Sequence, residues 1–305
     1  MIAVIGGAGL VGSHIVDELL SRGRALDERI VVVDDFSRGR RENLPPTVDI
    51  VAADLMSDEA LAIAAKADVV YLTAARWLLE VEQHPEEAGR VNTLAPHVLA
   101  CAMRPGARLI FSSSASVYGE YQNRASRETN PVDPGSHLYA ASKVAAEALL
   151  ASHARRLRVT CLRYANVYGP RMDNKGAYMG VLAAWMNAAL KGEPIKVVDE
   201  PRAYDFVRVE DVAYANVAAA TKPPGVYNVC TGFATTLAEL AEMVSYTTKA
   251  PVEFVKATGP RPPVTVRVMD PGLLANLLGV SPWRIDDRRI VDLWAWWREA
   301  HGAKP

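Results

Sequence analysis

The sequence predicts an α/β fold: a doubly wound parallel sheet with a smaller α/β lobe at one edge. Three observations carry this. Strand-like runs of four to six residues recur through the first half of the 305-residue chain, with helical stretches between them. Those runs are largely continuous in apolar character rather than alternating, as strands covered on both faces must be. The first run leads at once into a glycine-rich turn and a helix, the corner that opens many doubly wound sheets.

Taken in order, Ile2-Ala3-Val4-Ile5 reads as a strand, Gly6-Gly7-Ala8-Gly9-Leu10-Val11-Gly12 as the turn, and residues 13–22 as a helix. In such a corner one glycine makes the tight turn, another lets a pyrophosphate approach the backbone, and a third lets the helix pack close to the strand. The helix N-terminus adds free N–H groups and a positive dipole end. The spacing is Gly6-x-x-Gly9-x-x-Gly12, which departs from the plain G-x-G-x-x-G. The second strand, residues 29–33, ends at Asp34, twenty-two residues after Gly12. An acid about 20 residues on can accept hydrogen bonds from ribose hydroxyls. Further strands are expected over 48–53, 68–73, 108–112, 159–163 and 226–229. Helices are expected over 57–65, 86–103 and 139–155. Right-handed crossovers then place helices on both faces.

After Gly169-Pro170 the character changes. Proline-rich loops become frequent, with helices expected over 178–190, 210–220, 237–245 and 286–300. This divides the chain into a dinucleotide-binding domain, 1–169 with 203–232 returning to it, and a substrate lobe, 170–202 and 233–305. The lobe is expected over the carboxyl edge of the sheet, where ligands bind in such folds.

Composition narrows the function classes. Hydrophobic residues make up 50% and charged residues 23%, as in ordinary globular proteins, and the net charge of −1 gives no reason to expect nucleic acid or a membrane surface as partner. Cys101, Cys161 and Cys230 form no CxxC pair, so neither a disulfide framework nor a zinc site is expected, and a reducing cytosol is. His14, His84, His97, His137, His153 and His301 show no metal spacing, and no metal is expected. No charged leader region and no apolar stretch of about 18 residues is visible, which makes a cytoplasmic location the expectation.

Two stretches bear chemistry. Ser112-Ser113-Ser114-Ala115-Ser116-Val117-Tyr118-Gly119 leaves the fifth strand at its carboxyl end, and Tyr139-Ala140-Ala141-Ser142-Lys143 follows. Tyr139 and Lys143, four apart, lie on one helix face. An ammonium near a phenol favours the phenolate and is expected to draw the tyrosine pKa from about 10 toward neutrality. A base with a pKa near the working pH is the efficient one. The Ser114 hydroxyl can bond the same substrate oxygen.

With these residues in view, the chain resembles the extended short-chain dehydrogenase/reductases, specifically the NAD-dependent nucleotide-sugar epimerase/dehydratase group. The resemblance runs from Ile2 to about Asp270. It rests on the glycine corner, Val33-Asp34-Asp35, Ala53-Asp54-Leu55, Leu72-Thr73-Ala74-Ala75, Val91-Asn92, Ser112 to Gly119, Tyr139-x-x-x-Lys143, Leu162 to Arg171 and Val226-Tyr227-Asn228-Val229.

The resemblance implies a Rossmann-like sheet with NAD as cofactor. Gly6, Gly9, Leu10, Val11 and Gly12 would hold the pyrophosphate, Asp34 and Asp35 the adenosine ribose, and Asp54-Leu55 the adenine. Ala74, Ala75, Asn92 and Ser112 would complete the cofactor's lining, and Lys143 would grip the nicotinamide ribose. Tyr139 would be the acid/base, assisted by Ser114. Asn166, Arg202 and Arg261 would bind a nucleotide sugar through its phosphates. Asp34 would repel a 2′-phosphate, so Arg38, Arg40 and Arg41 read as a solvated loop. The helices over 86–103 and 139–155 match those through which members form homodimers.

The chain also departs from the pattern. Tyr204 stands where many relatives have Arg, the segment after Arg261 is about one residue short, and Arg76-Trp77-Leu78-Leu79-Glu80 is atypical. Ala115-Ser116 follows Ser114, without the acidic pair of the dehydratases. The motif most resembles the 4-epimerases, which implies transient oxidation at the sugar C4. A nucleotide-sugar 4-ketoreductase or other oxidoreductase is the alternative, and a non-catalytic cofactor-binding protein a further one.

Overall fold

The computed structural model describes residues 1–23, 28–119, 125–135, 137–173, 180–199, 202–256 and 266–302. Six strands come first: β1 (Ile2–Ile5), β2 (Ile30–Asp34), β3 (Asp49–Ala52), β4 (Val69–Leu72), β5 (Arg108–Ser114) and β6 (Arg158–Tyr164). Four short strands follow, β7 (Asn166–Tyr168), β8 (Ile195–Val198), β9 (Ala203–Tyr204) and β10 (Phe206–Arg208), and then β11 (Gly225–Val229). The main sheet has seven strands in the order β11-β6-β5-β4-β1-β2-β3. Every neighbouring pair in it is parallel. The doubly wound prediction therefore holds. The chain runs outward from β1 to β3, then crosses back to β4 on the other side of β1. The crevice between the carboxyl ends of β1 and β4 is the switch point, where such sheets bind ligands.

Both faces are covered. One carries α1 (Leu10–Ser21), whose Ile15, Val16 and Leu19 pack with Val4, Val32, Tyr71 and Val212. The other carries α2 (Asp58–Lys66), whose N-cap Ser57 accepts the Ala60 N–H at 3.2 Å. Asp58 and Glu59 in its first turn complement the helix dipole. The expected helix over 86–103 is a composite. It comprises α4 (Pro85–Ala88), preceded by the short α3 (Leu78–Gln83), then a π-helical turn over Gly89–Leu94, then α5 (Ala95–Ala102). Pro96 has no N–H for the carbonyl four residues back, at Asn92, and widening the turn accommodates this. The helix expected over 139–155 is α6 (Leu138–Ala151). Leu99, Ala146 and Leu150 pack with Leu72, Leu109 and Phe111 beneath this face.

The remaining helices are α7 (Val181–Leu190), α8 (Val209–Ala219), α9 (Leu237–Thr248) and α10 (Asp287–His301). Helix α8 lies beside α1 under the main sheet, while α7, α9 and α10 enclose a separate core around Trp185, Met186, Leu240 and Trp297. Residues 178–179 of the helix expected over 178–190 lie outside the described residues. Leu274, Leu278 and Val280 return to the core under the main sheet. Among the described residues no helix is long and apolar enough to cross a membrane.

The corner after β1 depends on two glycines. Gly6 adopts φ +80°, and a Cβ there would lie 2.4 Å from the Ala74 nitrogen. A Cβ on Gly12 would lie 2.3 Å from the Gly6 carbonyl oxygen and 2.7 Å from Gly7 Cα. Gly9 is freer, its nearest neighbour being the Gly6 oxygen at 3.4 Å. Gly12→Ala is therefore expected to destabilise the fold by about 1–3 kcal/mol. Gly9→Ala should leave stability within about 0.5 kcal/mol of the parent. Urea denaturation of the two variants checks the contrast.

Candidate functional site

A cavity of about 730 Å³ opens at the switch point. Its floor is the glycine corner. Gly9, the N-cap of α1, offers no side-chain cap, and the first turn holds no acid. The unpaired N–H groups and the positive helix end therefore face the cavity lined by Gly9, Leu10, Val11 and Gly12. The motif's chemistry is thus a backbone site for anionic oxygen.

Asp34 ends β2 at the cavity wall. Its Oδ2 accepts the Ala8 N–H and its Oδ1 the Phe36 N–H, each at 2.9 Å. Burial raises its pKa against the pull of those two bonds. Asp35 also lines the cavity, but its carboxylate accepts the Ser37 N–H at 2.9 Å and hydroxyl at 2.6 Å. Arg38 does not stand as a solvated cation. It pairs with Glu80 at 3.3 Å and Asp173 at 3.0 Å, tying the loop after β2 to α3 and to the segment after β7. That strap keeps its guanidinium committed to carboxylates, in line with a site built for an unphosphorylated ribose.

Not every predicted residue reaches the cavity. Leu55 does, but the Asp54 carboxylate is held by Arg90 at 3.1 and 2.8 Å, which lowers its pKa. Ala74 and Ala75 line the wall. Asn92 is buried behind them. Its Oδ1 accepts the Arg76 N–H at 2.8 Å, and its Nδ2 donates to the Arg76 carbonyl at 2.9 Å and to Ser142 Oγ at 3.3 Å. Asn92 thus braces the loop that forms the wall. Val91 and Asn92 are both buried within the π-turn.

The far wall comes from β5 and α6. Ser112, Ser114, Tyr139 and Lys143 all face the cavity. Lys143 is buried, and its Nζ donates to the Ser112 carbonyl at 2.9 Å while lying 4.8 Å from the Phe111 ring centroid and 5.8 Å from that of Tyr139. Ser112 Oγ meets the Tyr164 hydroxyl at 2.9 Å. The expected drop in the tyrosine pKa is not found. Burial pushes Tyr139 up to about 12 against its hydrogen bond to Ser114. Burial likewise draws Lys143 down to about 8, opposed by the nearby Glu147 carboxylate. The ammonium is bonded to a carbonyl and set over ring faces, so desolvation outweighs its attraction for a phenolate.

Sequence reasoning missed Glu147, although it continues the Tyr139–Lys143 stripe by four more residues. Its carboxylate accepts Ser113 Oγ at 2.5 Å and Arg163 Nε and Nη2 at 3.0 and 2.6 Å. Arg163 lies 4.7 Å from the Tyr118 ring centroid, and Tyr118 donates to Asn228 Oδ1 at 2.6 Å. This buried chain of bonds joins β5, α6, β6 and β11 beneath the far wall. Asn166 and Arg202 line the lobe side, as does Arg267, which was not anticipated. Arg267 Nε is buried without a hydrogen-bond partner among the described residues. Arg261 lies outside the described residues.

Comparison with known proteins follows the same lines. Residues 2–230 match the model of the NAD dependent epimerase/dehydratase family. The UDP-glucose 4-epimerase of Mycolicibacterium smegmatis is 36% identical over 267 residues, 82% of this chain and 83% of that protein. The crystal structure of Thermotoga maritima UDP-glucose 4-epimerase with UDP-glucose has a TM-score of 0.90 at 29% identity, covering 98% of this chain and 99% of that one. The Thermus thermophilus UDP-glucose 4-epimerase, in complex with NAD, has a TM-score of 0.87 at 32% identity, with coverage of 98% and 99%.

The buried lysine makes a stability prediction. With its folded pKa near 8 and its free value at 10.5, the unfolded chain binds more protons between those values. Stability from this group therefore rises across that window and is lowest below it. Lys143→Met should raise unfolding free energy at pH 7 by roughly 1–3 kcal/mol, after allowing for the lost Ser112 bond. The gain should shrink as pH approaches 10, which urea denaturation at both pH values would show.

Proposed function

The chain belongs to the NAD dependent epimerase/dehydratase family, and from that premise we propose that it interconverts a nucleotide sugar, a UDP-sugar, with its 4-epimer. One observation carries the reading. Tyr139, Ser114 and Lys143 open onto the same cavity as the glycine corner and Asp34. A sugar bound against Tyr139 would thus share one enclosure with a dinucleotide bound along the corner.

The residues fit NAD. The uncapped start of α1 suits the pyrophosphate, the Asp34 carboxylate suits ribose hydroxyls, and Leu55 offers an apolar contact for the adenine. Ala74 and Ala75 leave room along the wall, and Lys143 is placed to hold the second ribose. Bound there, NAD supplies a hydride acceptor and donor, so that oxidation at the sugar C4 and its reversal need no outside reductant.

The chain's own part is proton handling and positioning. Tyr139 as phenolate takes the proton of the sugar 4-hydroxyl and later returns it, which balances the hydride leaving and re-entering at C4. Ser114 bonds the same oxygen. At about 12 the Tyr139 phenol keeps its proton at neutral pH. Positive charge beside it, from Lys143 and from an oxidised nicotinamide, favours the phenolate. Asn166, Arg202 and Arg267 suit the substrate's diphosphate, Arg267 because its Nε is buried and unpartnered there.

The test is a panel of UDP-sugars incubated without added coenzyme and followed by NMR. Inversion at C4 of one member is expected. Tyr139→Phe should lower kcat by about 10²–10⁴ with KM nearly unchanged, because the phenol acts in the chemical step rather than in binding. Turnover only when a 4-keto sugar and reduced coenzyme are supplied would instead make the protein a ketoreductase.

A further inference from the structure

Away from the cavity, the fold assembles a second group of chemically competent side chains. His97 and Cys101 stand one turn apart on α5, and His153 lies just past the end of α6, fifty-two residues beyond Cys101. One ligand atom from each of the three lies within 4.8 Å of the others. His153 Nε2 is 3.0 Å from His97 Nδ1, and Cys101 Sγ is 3.7 Å from His97 Nε2. The two imidazole rings are 5.0 Å apart and tilted by 52°. Cys101 is exposed and both histidines are partly buried.

We propose that His97, Cys101 and His153 form a binding site for a divalent transition metal of zinc's type. The donor set is the first argument. Two imidazole nitrogens and one thiolate suit zinc, and do not suit magnesium or calcium, which take oxygen. Geometry is the second. Bonds of about 2.0–2.3 Å in a tetrahedron set ligand atoms roughly 3.3–3.8 Å apart. His97 meets His153 through Nδ1 and Cys101 through Nε2, so a metal would take one of these nitrogens. One ligand atom from each residue lies within 4.8 Å of the others, about an ångström beyond that span. Side-chain adjustments of about an ångström would close the site, with no helix having to move.

Rigidity is the third argument. Arg156, three residues past His153, donates to the carbonyls of Ala100, Cys101 and Met103. This fixes the chain behind α6 against the end of α5, so the three ligands are set on mutually locked backbone. The Arg156 cation opposes a bound metal, but it is committed to three carbonyls, and the Cys101 thiolate offsets one of the metal's charges. Binding displaces the thiol proton to solvent and takes both histidines in the neutral form, so no redox partner is involved. Exposure at Cys101 leaves a fourth position for water. No ligand of this set lines the nucleotide-sugar cavity, so the site acts as a clip between α5 and the end of α6.

The full chain, stripped with a chelator and exchanged into non-coordinating buffer, is titrated with zinc by calorimetry and with cobalt(II) by absorption. One zinc per chain is expected, with Kd on the order of 1 μM or tighter and release of about one proton. Cobalt should give a thiolate-to-metal charge-transfer band. Cys101→Ser changes an exposed side chain and should fold normally, lose that band and bind zinc at least about tenfold more weakly. His153→Ala should also weaken binding, and zinc should raise Tm in the parent alone. Absence of saturable binding overturns the proposal. So does an isotherm unchanged in Cys101→Ser and His153→Ala, which would place the metal on other residues.

Discussion

The backbone contact between the glycine corner and the end of β4 is the constraint on which the rest depends. Gly6 passes so close to Ala74, and Gly12 so close to Gly6, that no side chain fits at either position. Thr73 seals the contact by donating its hydroxyl to the Ile5 and Gly6 carbonyls, both at 3.0 Å. Because the strand order reverses between β1 and β4 in an all-parallel sheet, this contact shapes the crevice itself. It aims the start of α1 into the opening and brings the loop after β4 alongside. Asp34, the Ala74–Ala75 wall and the Ser114–Tyr139–Lys143 group are then disposed around one space.

Electrostatics sets the far wall. The far wall carries an ionisable phenol and an ammonium, both desolvated and both shifted toward their neutral forms. At neutral pH the buried ammonium costs stability in the free protein, whereas the phenol, neutral folded and unfolded, does not. Beneath it, Glu147 and Arg163 form an ion pair whose side chains are only 11% and 6% exposed. Glu147 also accepts Ser113 Oγ and the Arg163 guanidinium lies over Tyr118, so each charge has its counter-charge, while Arg163 Nη1 has no hydrogen-bond partner among the described residues. Glu147 also opposes the downward drift of Lys143. The buried network thereby supports a lysine that remains largely protonated at neutral pH.

Legibility in the sequence followed the range of the interactions. The glycine corner, Asp34 at a strand end and the i, i+4 pair of Tyr139 and Lys143 are local patterns, and the fold places them as read. The partners that hold Asp54 and Asn92, Arg90 and the Arg76 backbone, lie 36 and 16 residues away and were not legible in local pattern. The Tyr139 pKa was misjudged in sign because one neighbour was weighed and burial was not. Arg267 reaches the cavity, and His153 reaches the i, i+4 pair of His97 and Cys101, only through packing between distant segments, which no spacing rule reveals. Glu147 could have been found, since it extends the Tyr139–Lys143 helix stripe by one more turn.

The most direct test of a single enclosed site is isotopic. A UDP-sugar carrying deuterium at C4 is converted to its epimer with no added coenzyme, and the product is read by NMR and mass spectrometry. Hydride that leaves and returns within one cavity requires the label to remain at C4 of the product, with none lost to water. Loss of the label to solvent, or conversion only when external coenzyme is supplied, would contradict the account.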